Sequence, residues 1–289
     1  MFAYNFSMAT RQIAACSAYD LRRELSARSR NRSQLHAHEV SYGSVPSYIF
    51  QECEGVHGNF LSDSYHAIQA VPEWARRLEK AYTGDRWVPR RWERSRRELD
   101  CASSSDALLM NIFCYPGLLD LLQVCLLLGI ERGAIPLFGY KPHTPMRGAG
   151  EKGDRADQTE VDMSLGPLLV EAKLTESGFQ TAPIERMLRY HKFEEVFEID
   201  ELPVTGKVVQ SYQLLRGVLA AEHLNRSFVV LCDARRQDLM EKWFQVLRAV
   251  RHCDLRSRLA LLSWQELSAV LPNPLKVFLR NKYGICSGS

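Results

Sequence analysis

The sequence predicts an α/β fold with a mostly helical N-terminal part, and three observations carry that expectation. Helix-like and strand-like periodicities alternate from about residue 134 to the end. Two short apolar runs, FVVLCD at 228–233 and LALLSW at 259–264, have the length of buried strands, and the first carries two β-branched valines. Between them Leu239, Trp243, Phe244, Leu247 and Val250 recur at helical spacing, as a crossover helix between two strands would require. The chain has 289 residues, 46% hydrophobic and 25% charged, so it has the makings of a globular core and is too long for a minimal one. Its longest apolar stretch, 117–130, is broken by Asp120 and Gln123 and falls short of the roughly 18–20 residues of a membrane span.

Taken in order, residues 1–45 read as a poorly ordered lead-in, with SARSRNRSQ as their most polar stretch. Residues 46–102 read as a helical extension, in which Ala67, Ala70, Val71, Trp74 and Leu78 keep a helical period. Residues 103–289 form the expected core. Ser103, Ser104, Ser105 and Asp106 are good capping residues ahead of ALLMNIF, a helix that Pro116 ends. A second apolar helix at 118–128 closes near Gly129 and Gly133, and a short strand is expected at 135–138. A glycine-rich polar loop covers 143–157. Residues 206–225 then read as an amphipathic helix.

A net charge of +3 is too mild for attraction to nucleic acid along the whole chain, but its distribution is uneven. The segment RWVPRRWERSRR at 86–97 holds six arginines against one acid, with Trp87 and Trp92 among them. Arg90, Arg91 and Arg94 could meet phosphates by charge and Trp92 could stack on a base. The competing reading is a solvated loop whose long side chains cover apolar surface. The eight cysteines form no CxxC pair and read as small core hydrophobes, which points to a reducing compartment. No apolar signal centre precedes residue 30, so a cytoplasmic location is expected.

The segment with most chemistry is EVDMSLGPLLVEAKL at 160–174. Two strands turning at Gly166-Pro167 would set opposite each other residues whose numbers sum to 333. Asp162 then faces Glu171, and Glu160 faces Lys173. Alternation puts these four on one mostly polar face and Val161, Met163, Leu165, Leu168, Val170, Ala172 and Leu174 on the other. Two directly opposed carboxylates repel, and a divalent cation relieves that repulsion. A neighbouring lysine can hold an attacking water and stabilise charge developing on phosphorus. The competing account, a half-exposed sheet with charged cross-strand pairs, explains Lys173 but not the opposed acids. A carboxylate pair also suits glycoside hydrolysis, though the adjacent lysine fits phosphate better than sugar.

Asp162 followed by Glu171-Ala172-Lys173 resembles the PD-(D/E)XK nuclease superfamily, and the resemblance covers roughly 103–270. It implies a restriction-endonuclease-like mixed central sheet flanked by helices. It also implies a magnesium- or manganese-dependent nuclease in which Asp162 and Glu171 bind the metal and Lys173 assists the water. The proline that usually precedes the first acid is replaced by Val161. Superfamily members often carry a metal-binding acid on the first core helix, and Glu98 and Asp106 are the residues available for that place. From the helix after the hairpin, Gln213, one turn from Gln210, is the expected polar contact to water or phosphate. Asp154 and Asp157 in the polar loop could add ligands. By the same resemblance the partner is nucleic acid, most simply DNA, no membrane is involved, and a homodimer would suit cleavage of both strands. The alternative is a nuclease-like nucleic-acid-binding module that no longer cuts.

Overall fold

The computed structural model describes residues 14–41, 43–81, 96–148 and 153–287. Its centre is a five-stranded sheet made of β1 (Pro136–Tyr140), β2 (Val161–Leu165), β3 (Leu168–Ala172), β4 (Ser227–Cys232) and β5 (Leu259–Ser263). The spatial order is β5-β4-β3-β2-β1. The first three strands are antiparallel neighbours, and β3, β4 and β5 run parallel. Parallel neighbours need long crossovers. Among the helices around the sheet are α1 (Ala18–Ser33), α2 (Ser105–Phe113), α3 (Tyr212–Leu224), α4 (Gln237–Arg248) and α5 (Asn273–Tyr283). α3 lies in the β3–β4 crossover and α4 in the β4–β5 crossover.

Both faces of the sheet are covered, which is why β3 and β4 are apolar at nearly every position. On one side Leu169, Phe228 and Val230 pack with Leu215 and Val218 of α3 and Leu239 and Trp243 of α4. Gly217 lets α3 approach this closely, because a Cβ there would run into the Phe228 ring. On the other side Met163, Leu165, Val170 and Leu231 pack with Leu21 and Leu25 of α1, Leu109 and Ile112 of α2 and Leu275 and Leu279 of α5. The expected split into one polar and one apolar face is therefore corrected. Val161 joins the α3–α4 side while Met163 joins the other, so the strand changes faces around Asp162. Gly139, which falls opposite Asp162 in the β1–β2 register, has a left-handed φ of 64° and makes the matching break in β1.

The hairpin register is the expected one. Met163 pairs with Val170, Ser164 with Leu169 and Leu165 with Leu168, about a turn in which Gly166 has a φ of 53°. α2 starts at the expected cap, where the Ser104 side chain accepts from the Ala107 N–H.

Other expectations need correction. Within the supposed lead-in, α1 is a capped helix whose Leu21, Leu25, Ser29 and Ser33 fall on one buried stripe. Only two of those four are apolar, so composition hides a face that spacing of four creates. The described part of the extension, 46–81 and 96–102, is not one helical run. Tyr48–Phe50 pairs with His38–Val40, and two helices, Ser62–Ala70 and Pro72–Leu78, meet where Pro72 forces Val71 into extended backbone. Residues 118–128 divide into a 3-10 turn at Leu118–Asp120 and a helix at Leu122–Leu128. Among the described residues no helix is long and apolar enough to cross a membrane. Arg90, Arg91, Trp92 and Arg94 lie outside the described residues.

Candidate active site

The end of β3 opens into a cleft of about 750 Å³. Asp162, Lys173 and Gln213 line it, as do Asp106, Glu98, Glu176 and Ser211. The basic residues on its walls are Arg22, Lys80, Arg96, Arg97, Lys173 and Lys242, which outnumber the four acids Glu98, Asp106, Asp162 and Glu176. Lys80, Arg96 and Arg97 come from the part of the chain before α2, so the cleft is closed by residues from outside the hairpin and its crossovers.

Lys173 is held from several directions. Its backbone N–H donates to Leu231 and its carbonyl accepts from the indole of Trp264 at 2.9 Å. Its ammonium donates to Glu171 Oε1 at 2.5 Å and lies 5.7 Å from the centre of the Phe179 ring. Burial alone would lower this lysine's pKa, but Glu171, Glu176 and Asp162 outweigh burial and hold it above the ordinary lysine range. Glu171 is only 1% exposed and is not part of the cleft lining. The pairing of Glu160 with Lys173 expected from the register is therefore corrected. Glu160 is bound instead by Arg77 at 2.7 Å, and Lys173 turns to the acid on its own strand.

The expected opposition of Asp162 and Glu171 is also altered in detail, since the strand pairing ends at Met163–Val170. Asp162 Oδ2 accepts the backbone N–H of Ala172 at 2.7 Å, so the carboxylate takes up a strand donor. The two acids nevertheless share one electrostatic environment. Burial first, then Glu171 and Asp106, push the Asp162 carboxyl well above the usual carboxylate range, against the pull of Lys173 and the Ala172 N–H.

Asp106 is handled differently. Arg77 reaches it at 2.9 Å and Lys80 at 2.7 Å. Burial would raise its pKa, yet these two cations outweigh burial and hold it below the usual range. Glu98 sits 3.0 Å from Lys80, and burial and Asp106 push its pKa up. Of the three acids Asp106, Glu171 and Asp162, only Asp162 has no side-chain cation bonded to it among the described residues.

The loop acids do not reach the cleft. Asp157 accepts from the hydroxyls of Tyr190 and Thr159, both at 2.6 Å, and Asp154 pairs with His191 at 3.0 Å. Sequence reasoning missed Glu176, whose carboxylate accepts from Ser105 at 2.6 Å and from the Leu174 N–H at 2.7 Å, tying the exit of β3 to the start of α2. It also missed Arg236. This residue is fully buried, paired with Asp238, and donates to the carbonyls of Leu174 and Glu176. Nothing in the string marks a side chain whose partners are backbone carbonyls some 60 residues away.

A mixed sheet whose antiparallel hairpin delivers acids and a lysine to a basic cleft defines a restriction-endonuclease-like α/β protein. A family model described as "Restriction Endonuclease associating with ARP" matches residues 30–284, and the chain belongs to that family. Membership points to nuclease chemistry with nucleic acid as the substrate class. No curated protein matches the chain, and no solved structure does.

Proposed function

We propose that the protein is a divalent-metal-dependent nuclease that hydrolyses phosphodiester bonds in DNA. The observation that carries the reading is Asp162. It is a partly buried acid pressed by two other carboxylates, with no side-chain cation bonded to it among the described residues, on the wall of a cleft rich in arginine and lysine. A hard cation fits that deficit. Among the described residues no three ligand-type side chains stand together as a metal cage. Two carboxylates supplemented by water and substrate phosphate are within magnesium's ordinary habit. Asp162 and Glu171 would hold the ion, with manganese as the alternative. When bound, it supplies Lewis acidity at the scissile phosphate.

The remaining work falls to the chain. Lys173 keeps its proton because of Glu171, so it can hold the attacking water by hydrogen bonding and offset negative charge growing on phosphorus. Gln213 lines the same cleft and would orient water or phosphate from the α3 side. Lys80, Arg96 and Arg97 from the extension face the phosphate backbone. Arg90, Arg91, Arg94 and Trp92, just before Arg96 in sequence, are proposed as further nucleic-acid contacts by charge and stacking. The family description names an association with ARP, and we propose such a partner for this chain as well.

Incubating the purified protein with plasmid and linear DNA, with magnesium or with chelator, tests the reading. Cleavage in magnesium, absent with chelator and in Asp162→Ala, Glu171→Ala and Lys173→Ala variants that still fold, is the expected result. Undiminished cutting by all three variants would end it. One observation favours a second reading, a nuclease-like binding module. Lys173 already occupies Glu171. Salt-sensitive DNA binding by a wild type that cuts nothing in magnesium or manganese would decide for it.

A further inference from the structure

Five buried side-chain polar atoms among the described residues lack a hydrogen-bond partner: Asn59 Oδ1, Arg96 Nη1, Glu98 Oε2, Ser211 Oγ and Ser268 Oγ. Buried polar atoms are nearly always satisfied, so each exception calls for a reason. Three of the five belong to residues lining the one cleft. The charge on Glu98 Oε2 is answered by the Lys80 ammonium at 3.0 Å. The two that remain, Arg96 and Ser211, both have a hydrogen to give. A cleft short of acceptors suits a ligand rich in them.

Ser211 is the more informative of the two. It is 3% exposed and holds a left-handed backbone, with φ 60° and ψ 38°, where side chains are strained and glycine is not. Beside it Gln180, also on the cleft wall, has a φ of 57°. Ser211 immediately precedes α3, but its hydroxyl does not cap that helix. The first helical N–H groups are taken up elsewhere, with Tyr212 donating to the Gln180 carbonyl and Gln213 to that of Phe179. Backbone geometry alone would favour glycine here, and neither capping nor an internal bond accounts for the oxygen. Strain of this kind is retained where surrounding structure and function demand it.

We infer that the Ser211 hydroxyl is a substrate contact, donating a hydrogen bond to a non-bridging oxygen of a phosphodiester in the cleft. The choice of ligand rests on the nuclease reading. An unpartnered guanidinium nitrogen, Arg96 Nη1, in the same cleft favours an anion over a cation or a neutral sugar. DNA and RNA offer the same phosphodiester, so the test includes both.

Short fluorescein-labelled DNA and RNA strands and duplexes, titrated with the full chain in chelator, report binding by anisotropy without cleavage. Ser211→Gly, which suits the backbone and removes the hydroxyl, should weaken binding roughly tenfold while leaving the melting temperature unchanged or raised. Ser211→Ala, which removes only the oxygen, should show the same loss. A larger effect on one nucleic acid identifies the substrate. A purely structural serine predicts unchanged affinity in both variants, and that result overturns the inference, as does a wild type that binds none of the strands. Weakened binding by the variants beside a wild type that cuts nothing in magnesium or manganese would keep the contact and remove the hydrolase reading.

Discussion

Two regions of this molecule each bury a lysine, and they treat it in opposite ways. At the cleft, Lys173 is 4% exposed and has Glu171 at 2.5 Å. At the junction of α1 and α5, Lys282 is 3% exposed and donates to the Tyr283 hydroxyl at 2.6 Å and the Ala102 carbonyl at 3.3 Å, with no carboxylate bonded to it among the described residues. Burial penalises the charged form in both places. Three neighbouring acids, Glu171 foremost, reverse the outcome at Lys173, whereas burial and then Arg32 drive the Lys282 pKa well below the ordinary lysine range. A buried lysine thus holds its proton more tightly or more loosely according to the acids packed around it. In the cleft the chain keeps a charge it could have avoided.

The sharpest way to break that comparison is to remove the charge where it is used. Lys173→Gln is expected to slow DNA cleavage by about 10²–10⁴-fold, measured under single-turnover conditions in magnesium. Activity within a factor of a few of wild type would make Lys173 a structural residue like Lys282. Next, Glu171→Ala leaves a buried ammonium without its acid and should cost about 3–5 kcal/mol in urea unfolding. A cost under ~1 kcal/mol would mean that the pair is not what holds Lys173 charged.

Smaller effects test the frame around each lysine. At Gly139 an alanine must adopt a left-handed φ, and its Cβ would meet Arg77 and Glu160. Gly139→Ala should cost on the order of 1–2 kcal/mol from the backbone alone, with cleavage reduced as the strand beside Asp162 shifts. The smallest effect belongs to Lys282. Its amine is neutral in the fold and takes up a proton on unfolding at any pH between its depressed native value and the ordinary lysine range. Wild-type stability should therefore rise with pH across that window and lose this contribution as pH falls through the native value. Lys282→Met should raise stability at neutral pH by up to about 1 kcal/mol and flatten the dependence, as thermal melts across pH would record. An unchanged pH profile would show that Lys282 is charged despite its surroundings.

Much of the fold was legible because it depends on local patterns. FVVLC announces β4 through β-branched residues buried on both faces, and Ser104 announces α2 through its cap. The turn at Gly166 sets the β2–β3 register, since alternation leaves no other way to keep Met163, Leu165, Leu168 and Val170 together. Of the candidate site, the string Asp162…Glu171-Ala172-Lys173 stood out through charge where a buried strand should be apolar. α1 was illegible because two leucines among arginines and serines form a face only when the helix has something to pack against.

By itself, then, the sequence determined the strands of the central hairpin, β4 and β5, the cap that begins α2, and that acids and a lysine leave one hairpin together. Tertiary structure alone decided the pairing of charges: Glu160 with Arg77, Asp106 with Arg77 and Lys80, Glu171 with Lys173, and Asp162 with a backbone N–H. The reason is range. Strand alternation and capping act over a few residues and are written in the local string. A buried charge takes whichever opposite charge the packing brings within about 3 Å, and here Arg77 lies 83 residues from Glu160 along the chain.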